Sequence, residues 1–304
     1  MSAPVVVLAG GTGGAKLARG MLDVVGADEL VVVANTADDI EIYGAYVSPD
    51  PDLVTFWLAD LIDARGWGLA GDSFKVMDGL RELGIEVWFN LGDRDLAIGL
   101  ERSRALACGE RLTDVQASIS RALGLRARVL PMSDDPVRTR VLSGERWWPF
   151  QEYMIRSGGA SVEDLDFRGL RAARAGPEVL EAIATARAIV IGPSNPVISI
   201  GPILALEGLG EAMRAARAPV VAVSPIVRGA VVKGPTADFM GLFGHPVSNA
   251  GIASCYGALL DGLVADGRTE ALPVLETDVL MASAEDRRRL AAETLGFALA
   301  LALG

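Results

Sequence analysis

The sequence predicts an α/β protein in which a Rossmann-like, doubly wound and mainly parallel sheet carries a smaller inserted lobe with a β-hairpin. Continuous, valine-rich apolar runs such as Val5–Ala9 and Leu30–Ala34 are typical of parallel strands that are buried on both faces. Segments with helical spacing of apolar residues alternate with these runs, which is the pattern of a doubly wound sheet. We therefore expect a core of residues 1–134 and 185–304 and an inserted lobe of residues 135–184.

The predicted elements follow one another in a regular order from the N-terminus. The apolar runs predict strands at Val5–Ala9, Leu30–Ala34, residues 86–90, Arg128–Pro131, Ala188–Ile191 and Val220–Val223. Helical spacing predicts helices at residues 16–25, 51–64, 73–83, 96–106 and 113–123. Residues 137–154 break this rhythm and are predicted to form an aromatic-rich hairpin that includes Trp147 and Trp148. A polar loop follows each strand, and a doubly wound sheet gathers such loops at the edge where ligands bind.

Composition and charge argue against several classes of function. The chain has 304 residues, of which 51% are hydrophobic and 22% charged, as in a globular protein. Its net charge of -11 argues against a nucleic-acid binder, so any anionic ligand must be held by local groups. The single histidine, His245, argues against a histidine-based triad, and Cys108 and Cys255 lack the spacing of a zinc site. The N-terminus reads as a strand and no apolar run is long enough to cross a bilayer, so we expect a cytoplasmic protein with no membrane partner.

The segment after the first strand is rich in glycine. Residues 9–16 read AGGTGGAK, and the backbone amides of such a segment before a helix can approach a phosphate. It is not the dinucleotide fingerprint, because Lys16 stands where the last glycine is required. It is not a P-loop either, because Ala15 and Leu17 replace the glycine and the hydroxyl residue of that motif. A plain tight turn is the alternative, and the number of small residues favours a phosphate cradle.

Acidic residues follow the second strand and precede the next helix. Asp38 and Asp39 end the sequence NTADD directly after Leu30–Ala34. Paired carboxylates there could hold Mg²⁺, or they could form a solvated turn. Asp50 stands before Pro51, which predicts a helix N-cap at the sheet edge that can also face a ligand.

Further polar loops are predicted at the same edge. Arg94 lies between two acids in the sequence LGDRD, where it is either a structural ion pair or a clamp for an anion. Ser194 and Asn195 lie in GPSNP after Ala188–Ile191, and they either bind phosphate or form a turn. The remaining loops of this kind are residues 133–136, 224–225 and 233–235.

Taken together, the motifs resemble the 2-phospho-lactate transferase family of coenzyme F420 biosynthesis. The matching segments occur in order along most of the chain: AGGTGGAKL (9–17), NTADD (35–39), SPDPD (48–52), RGWGLAGDSF (65–74), LGDRDLA (91–97), PMSDDPVRTRV (131–141), FQEYMIRSG (150–158), IGPSNPVISIGPIL (191–204) and VVAVSPIV (220–227). The resemblance implies a transferase that moves a three-carbon phospho-acid group (phosphoenolpyruvyl, phospholactyl or phosphoglyceryl) from a guanosine-diphospho donor. The acceptor would be the ribityl hydroxyl of the deazaflavin Fo, and GMP would leave. A homodimer is expected.

The resemblance also implies roles for particular residues. Asp38 and Asp50 are expected to be catalytic, Asp50 and Arg94 to bind Fo, and Asp38 with Asp39 to hold Mg²⁺ as the cofactor. The residues expected to bind the nucleotide phosphates are Gly11, Thr12, Gly13, Gly14, Lys16, Ser194 and Asn195. The aromatic hairpin could offer a face for the deazaflavin ring, although its tryptophans could equally be core residues.

This chain departs from the family pattern at several positions. The departures are Ile98 and Gly99 after GDRDLA, Ser48 and Leu53 around PDPD, and Arg138 where an acid is common. A non-enzymatic regulator of the related fold that binds a nucleotide sugar is the main alternative, since fold alone does not decide function. A Rossmann dehydrogenase is disfavoured by the failed dinucleotide fingerprint. The choice of ligand would distinguish the three.

Overall fold

The computed structural model describes residues 3–231 and 234–303, which form alternating strands and helices. The strands are β1 (Val5–Ala9), β2 (Leu30–Ala34), β3 (Ile40–Ile42), β4 (Ala45–Val47), β5 (Arg128–Pro131), β6 (Arg138–Ser143), β7 (Arg146–Pro149), β8 (Asp164–Arg168), β9 (Ala188–Ile191), β10 (Val220–Val223), β11 (Ile226–Val227), β12 (Ala230–Val231), β13 (Gly262–Ala265) and β14 (Val274–Glu276). The helices are α1 (Gly11–Val25), α2 (Pro49–Leu58), α3 (Lys75–Glu82), α4 (Asp93–Ala107), α5 (Leu112–Ala122), α6 (Phe150–Arg156), α7 (Pro177–Thr185), α8 (Gly201–Leu204), α9 (Leu209–Ala215), α10 (Thr236–Leu242), α11 (Asn249–Tyr256) and α12 (Ala284–Leu301). Across the described ranges, no helix is long and apolar enough to cross a membrane.

Seven of these strands form one sheet in the order β14-β13-β10-β9-β1-β2-β5, and all neighbours are parallel. The chain starts at β1 in the middle and winds outward through β2 to β5. It then returns to β9 on the other side of β1 and winds outward again. This is the Rossmann strand order with one strand added, and the point where the winding reverses lies between β1 and β9. The predicted fold class is confirmed.

The central strand shows why the sheet is buried on both faces. Val5, Val7 and Ala9 pack with α1, α2 and α12 in one apolar cluster. Val6 and Leu8 pack with α7, α9 and α11 in the other. Successive side chains of a strand point to opposite faces, so a strand between two helical layers must be apolar at every position.

Five of the predicted strands have the predicted bounds, namely β1, β2, β5, β9 and β10. The strand predicted at residues 86–90 is wrong, because these residues join α3 to α4 without pairing to any strand. Val87 and Phe89 pack instead against a small separate core that contains Met77 and Leu91. These two apolar residues are two positions apart, as in a strand, because both pack on this core. The short strands β13 and β14 were not anticipated.

Two long excursions leave the main sheet. Residues 35–127 connect β2 to β5 and contain the hairpin β3–β4 and helices α2 to α5. Residues 132–187 connect β5 to β9 and contain an antiparallel sheet in the order β7-β6-β8. The predicted aromatic hairpin is therefore present, with Val141 paired to Trp148 and Leu142 to Trp147. The division at 135–184 stays a prediction, since α7 at the end of that range packs against the main sheet.

Candidate active site

A cavity of about 370 Å³ opens at the carboxyl ends of β1 and β9, where the winding of the sheet reverses. Ligands of doubly wound sheets bind at this position. Its lining residues come from several loops that the sequence predicts at the sheet edge: Gly10, Gly11, Thr12, Gly13, Lys16, Asp38, Asp50, Pro193, Ser194, Asn195, Ser224 and Pro225. The structure therefore brings most of the predicted nucleotide-binding residues together, and we call this the first cavity. Gly14 is the exception, since it lies buried behind the wall.

Gly11, Gly13 and Gly14 lie within helix α1, which begins at Gly11 and not at Lys16 as predicted. A side-chain carbon at Gly13 would lie 2.1 Å from the carbonyl oxygen of Pro193. At Gly14 it would lie 2.6 Å from the hydroxyl oxygen of Ser194. These two glycines are therefore needed for close packing of α1 on the loop after β9. Gly11 differs, because it has a φ of 66° and open space beside it.

The start of α1 offers backbone donors to the first cavity. The N–H of Gly10 donates to Ser194 Oγ at 3.1 Å, and that of Gly11 donates to Asp50 Oδ1 at 2.7 Å. Thr12 and Gly13 occupy the next two helical positions and line the cavity. N–H groups at these positions have no acceptor within a helix, so they are available to an anion.

Two further polar side chains border the first cavity. Lys16 Nζ donates to the carbonyl of Met281 at 3.2 Å and lies 5.8 Å from the centre of the Trp57 ring. Asn195 Oδ1 accepts from the N–H groups of Val197 and Ile198 and so fixes the π-helical turn that follows. Among the described residues, Asn195 Nδ2 is buried without a hydrogen-bond partner. It is therefore a donor available to a ligand.

Asp50 and Asp38 both face the first cavity. Asp50 accepts from the Gly11 amide and from Asn35 Nδ2 at 3.0 Å, and burial raises its pKa to about 6. Burial also raises the pKa of Asp38 well above its usual range, and the negative charge of Asp50 adds to the shift. Within the described chain, Asp38 Oδ1 is buried without a hydrogen-bond partner. Asp50 is not the predicted N-cap, because α2 begins at Pro49 and Ser48 takes the cap position.

Asp39 faces a different direction. Its carboxylate accepts from the Tyr46 hydroxyl at 2.9 Å and from the Ser48 hydroxyl at 2.7 Å. Burial raises the pKa of Asp39 to about 7, opposed by the nearby charge of Arg138. Asp39 does not line the first cavity. Its predicted part in metal binding stays a prediction, and the geometry offers Asp50 as the better placed partner of Asp38.

A second cavity of about 450 Å³ adjoins the first and was not anticipated from the sequence. Five aromatic rings line it among apolar and acidic side chains, and the rings come from residues 56–89: Phe56, Trp67, Phe74, Trp88 and Phe89. The Arg65 guanidinium lies 4.2 Å from the centre of the Trp67 ring. Asp95 also lines this cavity, and burial, with the charges of Asp52 and Asp72 adding to it, raises its pKa to about 7. The concentration of aromatic residues between 56 and 89 was the available signal.

A buried ion pair supports the wall between α2 and α4. Arg102 is fully buried and its Nη2 donates to Asp52 Oδ1 at 2.5 Å. Arg102 also donates to the carbonyl of Tyr46 and to Gln116 Oε1. A buried charge is tolerated when it is paired and hydrogen-bonded in this way. The pair fixes the first turn of α2, which carries Asp50.

Arg94 lies at the rim of the second cavity and is exposed. Its Nη1 donates to the carbonyl of Ala70 at 3.3 Å, while Gly92 and Asp95 on either side of it line the cavity. The side chain of Arg94 itself is not part of the wall. Its predicted contact with Fo therefore requires a rotation of the side chain and stays a prediction.

Several other predicted candidates have structural roles. Asp134 accepts from the N–H of Thr113 at 2.8 Å and pairs with Arg111 at 2.7 Å, so the loop 133–136 anchors α5 and lines neither cavity. Trp147 and Trp148 are covered by Arg140 and Arg146 and line neither cavity. The hairpin is therefore not the aromatic wall. Lys233 lies outside the described residues.

Asp50 and Gln151 are the two described residues that line both cavities. Asp50 was predicted to be functional, and Gln151 was not. Gln151 lies in the segment FQEYMIRSG, on the helix that follows the aromatic hairpin. Its place in a family motif was the signal that could have identified it.

Comparison with known proteins places the chain in a family. The profile of the family described as "2-phospho-L-lactate transferase CofD" matches residues 5–293. A 2-phospho-L-lactate transferase of Methanosarcina mazei is 40% identical over 297 residues, which cover 94% of this chain and 97% of that protein. A phosphoenolpyruvate transferase of Kitasatospora aureofaciens is 41% identical over 298 residues, covering 90% of this chain and 93% of that protein.

The fold has relatives among solved structures. A crystal structure of a member of the UPF0052 family from Bacillus halodurans superposes with a TM-score of 0.57 and 19% sequence identity. It covers 88% of this chain and 82% of that one, and it supports the fold alone. The sequence relatives carry the stronger conclusion, since they match nearly the whole chain. The chain belongs to the 2-phospho-L-lactate transferase CofD family, and it is a transferase.

Proposed function

We propose that this transferase acts in coenzyme F420 biosynthesis and joins a three-carbon phospho-acid to the deazaflavin Fo. The donor is a guanosine diphosphate whose outer phosphate carries the acid. The oxygen of the terminal ribityl hydroxyl of Fo forms a bond to that outer phosphorus. The bond from the same phosphorus to the bridging oxygen breaks, and GMP leaves with the electron pair. The products are a phosphodiester of Fo and GMP.

The observation that carries this proposal is the pair of adjoining cavities that share Asp50. The first cavity has backbone and amide donors at one end, which suit a diphosphate. The second is lined by aromatic rings, which suit a flat heteroaromatic ring. A group passing from one ligand to the other would cross their common boundary. Asp50 stands at that boundary, since it lines both cavities.

Hydrogen-bond donors in the first cavity allow an acidic chain to bind an anionic diphosphate. With a net charge of -11, the protein cannot attract a diphosphate by its overall field. The N–H groups of Thr12 and Gly13, the ammonium of Lys16 and the amide of Asn195 all border the cavity. The N–H groups and the Asn195 amide supply local positive potential without changing the net charge of the chain, and Lys16 places one positive charge at the cavity.

The residues present also fit a magnesium ion. Asp38 presents a buried carboxylate oxygen without a partner among the described residues, and Asp50 lines the same cavity. No group of three or more potential metal-ligating side chains occurs in residues 3–231 and 234–303. Mg²⁺ is often held by one or two carboxylates, with substrate phosphates and water completing its shell. Asp38 and Asp50 would hold it, and when bound it would neutralise charge on the diphosphate.

The chain's own residues would do the remaining work by positioning. Transfer of a phosphoryl-type group needs orientation and charge neutralisation more than a covalent nucleophile. In our proposal a carboxylate oxygen of Asp50 accepts a hydrogen bond from the ribityl hydroxyl and then takes its proton. Burial raises the pKa of Asp50 to about 6 in the metal-free protein, and a magnesium ion held by the same carboxylate would lower it, so Asp50 is ionised near neutral pH and able to accept the hydroxyl proton as it is released.

The experiment that tests the proposal is incubation of the protein with Fo, Mg²⁺ and each guanylated donor, with products identified by mass. The donors carry phospholactate, phosphoenolpyruvate or phosphoglycerate. We expect one donor to give the Fo phosphodiester and GMP in equal amounts, and Asp38→Asn to give little of either. If Fo does not bind while a UDP-sugar does, the proposal is wrong and the regulator takes its place.

A further inference from the structure

The wall between the two cavities is formed in part by one face of helix α6. Gln151 lines both cavities, Met154 lines the first and Ile155 lines the second. Residues at these spacings lie on the same face of a helix. The helix therefore straddles the boundary, and Gln151 is the position at which the two spaces meet.

The rest of α6 is anchored, so the position of Gln151 is well defined. Phe150 and Tyr153 are buried in an apolar cluster with Phe239. The Tyr153 hydroxyl donates to the carbonyl of Ala160 at 2.6 Å. Glu152 is engaged on another side of the helix, where it pairs with Arg146 at 3.2 Å. These contacts fix the orientation of the helix; Phe150 also lines the first cavity, and the side chains of Gln151, Met154 and Ile155 take no part in the anchoring cluster.

The carboxamide of Gln151 is uncommitted in the part of the chain that the structure describes. It is half-buried, and no hydrogen bond to it occurs among residues 3–231 and 234–303. A half-buried amide without a protein partner is available to a ligand. Its neighbour at the boundary is Asp50, which already accepts from the Gly11 amide and from Asn35. The boundary thus offers one acid and one neutral donor.

We propose that the Gln151 carboxamide contacts the transferring phosphate and is a further catalytic residue of the reaction. This rests on the proposed function, because only a reaction between two ligands gives the boundary a special role. The amide N–H donates to a non-bridging oxygen of the phosphorus that changes partners. A neutral donor suits this place, since it stabilises the anionic group without pairing with Asp38 or Asp50 and neutralising them. Its carbonyl is free to accept from the ribityl chain.

Three substitutions at Gln151 test the proposal. Gln151→Leu keeps the size and removes the hydrogen bonds, and we expect kcat to fall about 10- to 100-fold, as for loss of a hydrogen bond to a charged group. Gln151→Glu keeps the shape and adds a negative charge facing the phosphate, so its loss should exceed that of Gln151→Leu. Gln151→Asn retains the amide one carbon shorter and should recover part of the activity. Binding of GDP alone and of Fo alone should change less than about threefold in each variant.

Neighbouring positions on the same helix supply the controls. Glu152→Gln alters a side chain that faces neither cavity, and kcat and both KM values should stay near wild type. Met154→Ala should raise the KM of the donor and Ile155→Ala that of Fo, each more than it lowers kcat. This split between kcat and KM separates contact with the reacting group from simple lining of a wall.

Several outcomes would overturn the proposal. If the wild-type protein makes the product and Gln151→Leu keeps its full kcat, Gln151 does not touch the transferring group. If the loss in Gln151→Leu is confined to the binding of one ligand, Gln151 is an ordinary wall residue. If the wild-type protein makes no product with any of the three donors, the proposed function fails, and this inference fails with it. Melting temperatures of all variants establish that each one is folded.

Discussion

The two cavities of this transferase are built in different ways. Part of the first is formed by closely packed backbone at the ends of β1 and β9, where a side-chain carbon at Gly13 would lie 2.1 Å from the carbonyl oxygen of Pro193. The second is walled by side chains from the excursion between β2 and β5, including Trp67, which is 47% exposed. Closely packed backbone at the end of the sheet moves less readily than an exposed aromatic side chain. The first cavity, which is the proposed donor site, is therefore expected to be the more rigid, and the second, the proposed acceptor site, the more adaptable.

This difference assigns separate tasks to the two halves. A phosphate of fixed shape is well served by preformed N–H donors, because no reorganisation is needed when it binds. A large flat ring gains most from close apolar contact, which side chains provide by adjusting to it. Asp50 and Gln151 belong to both walls, so substitutions there should affect the reaction more than either binding step. The following predictions test that contrast, from the largest expected effect to the smallest.

Asp50→Asn should reduce turnover most, by about 100-fold or more, because removing a positioned proton acceptor typically has an effect of this size. The measurement is kcat with saturating donor and Fo. Asp39→Asn is the matched control, since Asp39 is a similarly buried acid, next to Asp38 in the sequence, that lines neither cavity. It should lower kcat much less. The result would be contradicted if both variants lost the same activity and both lost their dependence on Mg²⁺. Asp39 would then also be a metal ligand, and the assignment to Asp50 would be wrong.

Gly13→Ala should lower the free energy of unfolding by about 3 kcal/mol, because the new carbon would lie 2.1 Å from a backbone oxygen that cannot move freely. Gly11→Ala is its control in the same turn. Open space surrounds Gly11, and only its φ of 66° opposes a side chain, at about 1 kcal/mol. Urea denaturation of both variants gives the comparison. Equal stability of the two would show that the first cavity is not rigid in the way proposed.

The buried acids should make the metal-free protein less stable as the pH rises. Burial raises the pKa of Asp50 from 3.8 to about 6, so the folded state holds this proton more tightly than the unfolded state. By linkage, its contribution to stability is present at low pH and is lost as the pH rises from about 4 to about 6. In EDTA at pH 8, Asp50→Asn should therefore be more stable than wild type by about 1–2 kcal/mol. The variant no longer buries a charge, and the loss of one hydrogen bond offsets part of that gain.

The control for this effect is the same pair of proteins at pH 4, where wild type and variant should differ little in their free energy of unfolding. Mg²⁺ should raise the melting temperature of wild type at pH 8 and leave that of Asp50→Asn nearly unchanged. A wild-type stability that increases steadily between pH 4 and pH 6, relative to the variant, would mean that Asp50 is not held in a destabilising environment.

The loops around the first cavity were predictable from the sequence and the walls of the second were not, for a physical reason. Strands buried on both faces have a continuous apolar pattern, so β1, β2, β5, β9 and β10 were found with their bounds, and the loops that follow them were placed at one edge. The excursion has a small core of its own around Met77, whose pattern resembled a strand at residues 86–90. Local spacing cannot show which separate rings, such as Phe56 and Trp88, meet around one space.

Asp50 illustrates the same limit in a single residue. Its place before Pro51 predicted a helix cap. The helix instead begins two residues earlier, with Ser48 as the cap and Pro49 as its first residue. Because of this shift the carboxylate reaches the Gly11 amide across the sheet edge and makes no contact typical of a cap. The functional role was inferred from the family motif, and the geometry that supports it depends on tertiary contacts that a sequence does not display.

Trp67→Ala should weaken Fo binding by about tenfold, the effect of losing one well-packed aromatic contact, and should leave GDP binding unchanged. Fluorescence titration with each ligand measures both. Trp147→Ala is the matched control, because Trp147 lies in the hairpin and lines neither cavity. If Trp147→Ala weakens Fo binding and Trp67→Ala does not, the hairpin would be the deazaflavin platform and the second cavity would need another occupant.

Arg94→Lys should have the smallest effect, raising the KM for Fo about threefold with little change in kcat or in GDP affinity. Arg94 is exposed and its guanidinium donates to the carbonyl of Ala70, so it must leave this contact and turn inward to touch a ligand in the second cavity. Rotation of an exposed side chain costs little, and the gain from one exposed hydrogen bond is modest. Lysine keeps the charge and loses the planar pair of donors that an arginine can offer to a ring carbonyl.

The size of this effect tests how far the acceptor half adapts. If Arg94→Lys lowers Fo binding tenfold or more, Arg94 must form a close contact with Fo, and the rim must fold inward over the ligand. Arg104→Lys supplies the control, because Arg104 lies on the same helix, is also exposed, pairs with Glu101 and lines neither cavity. A loss in Arg94→Lys that matches the change in Arg104→Lys would leave Arg94 as a surface residue. The acceptor site would then be complete within the aromatic walls, which would make the second cavity more preformed than its exposed rim indicates.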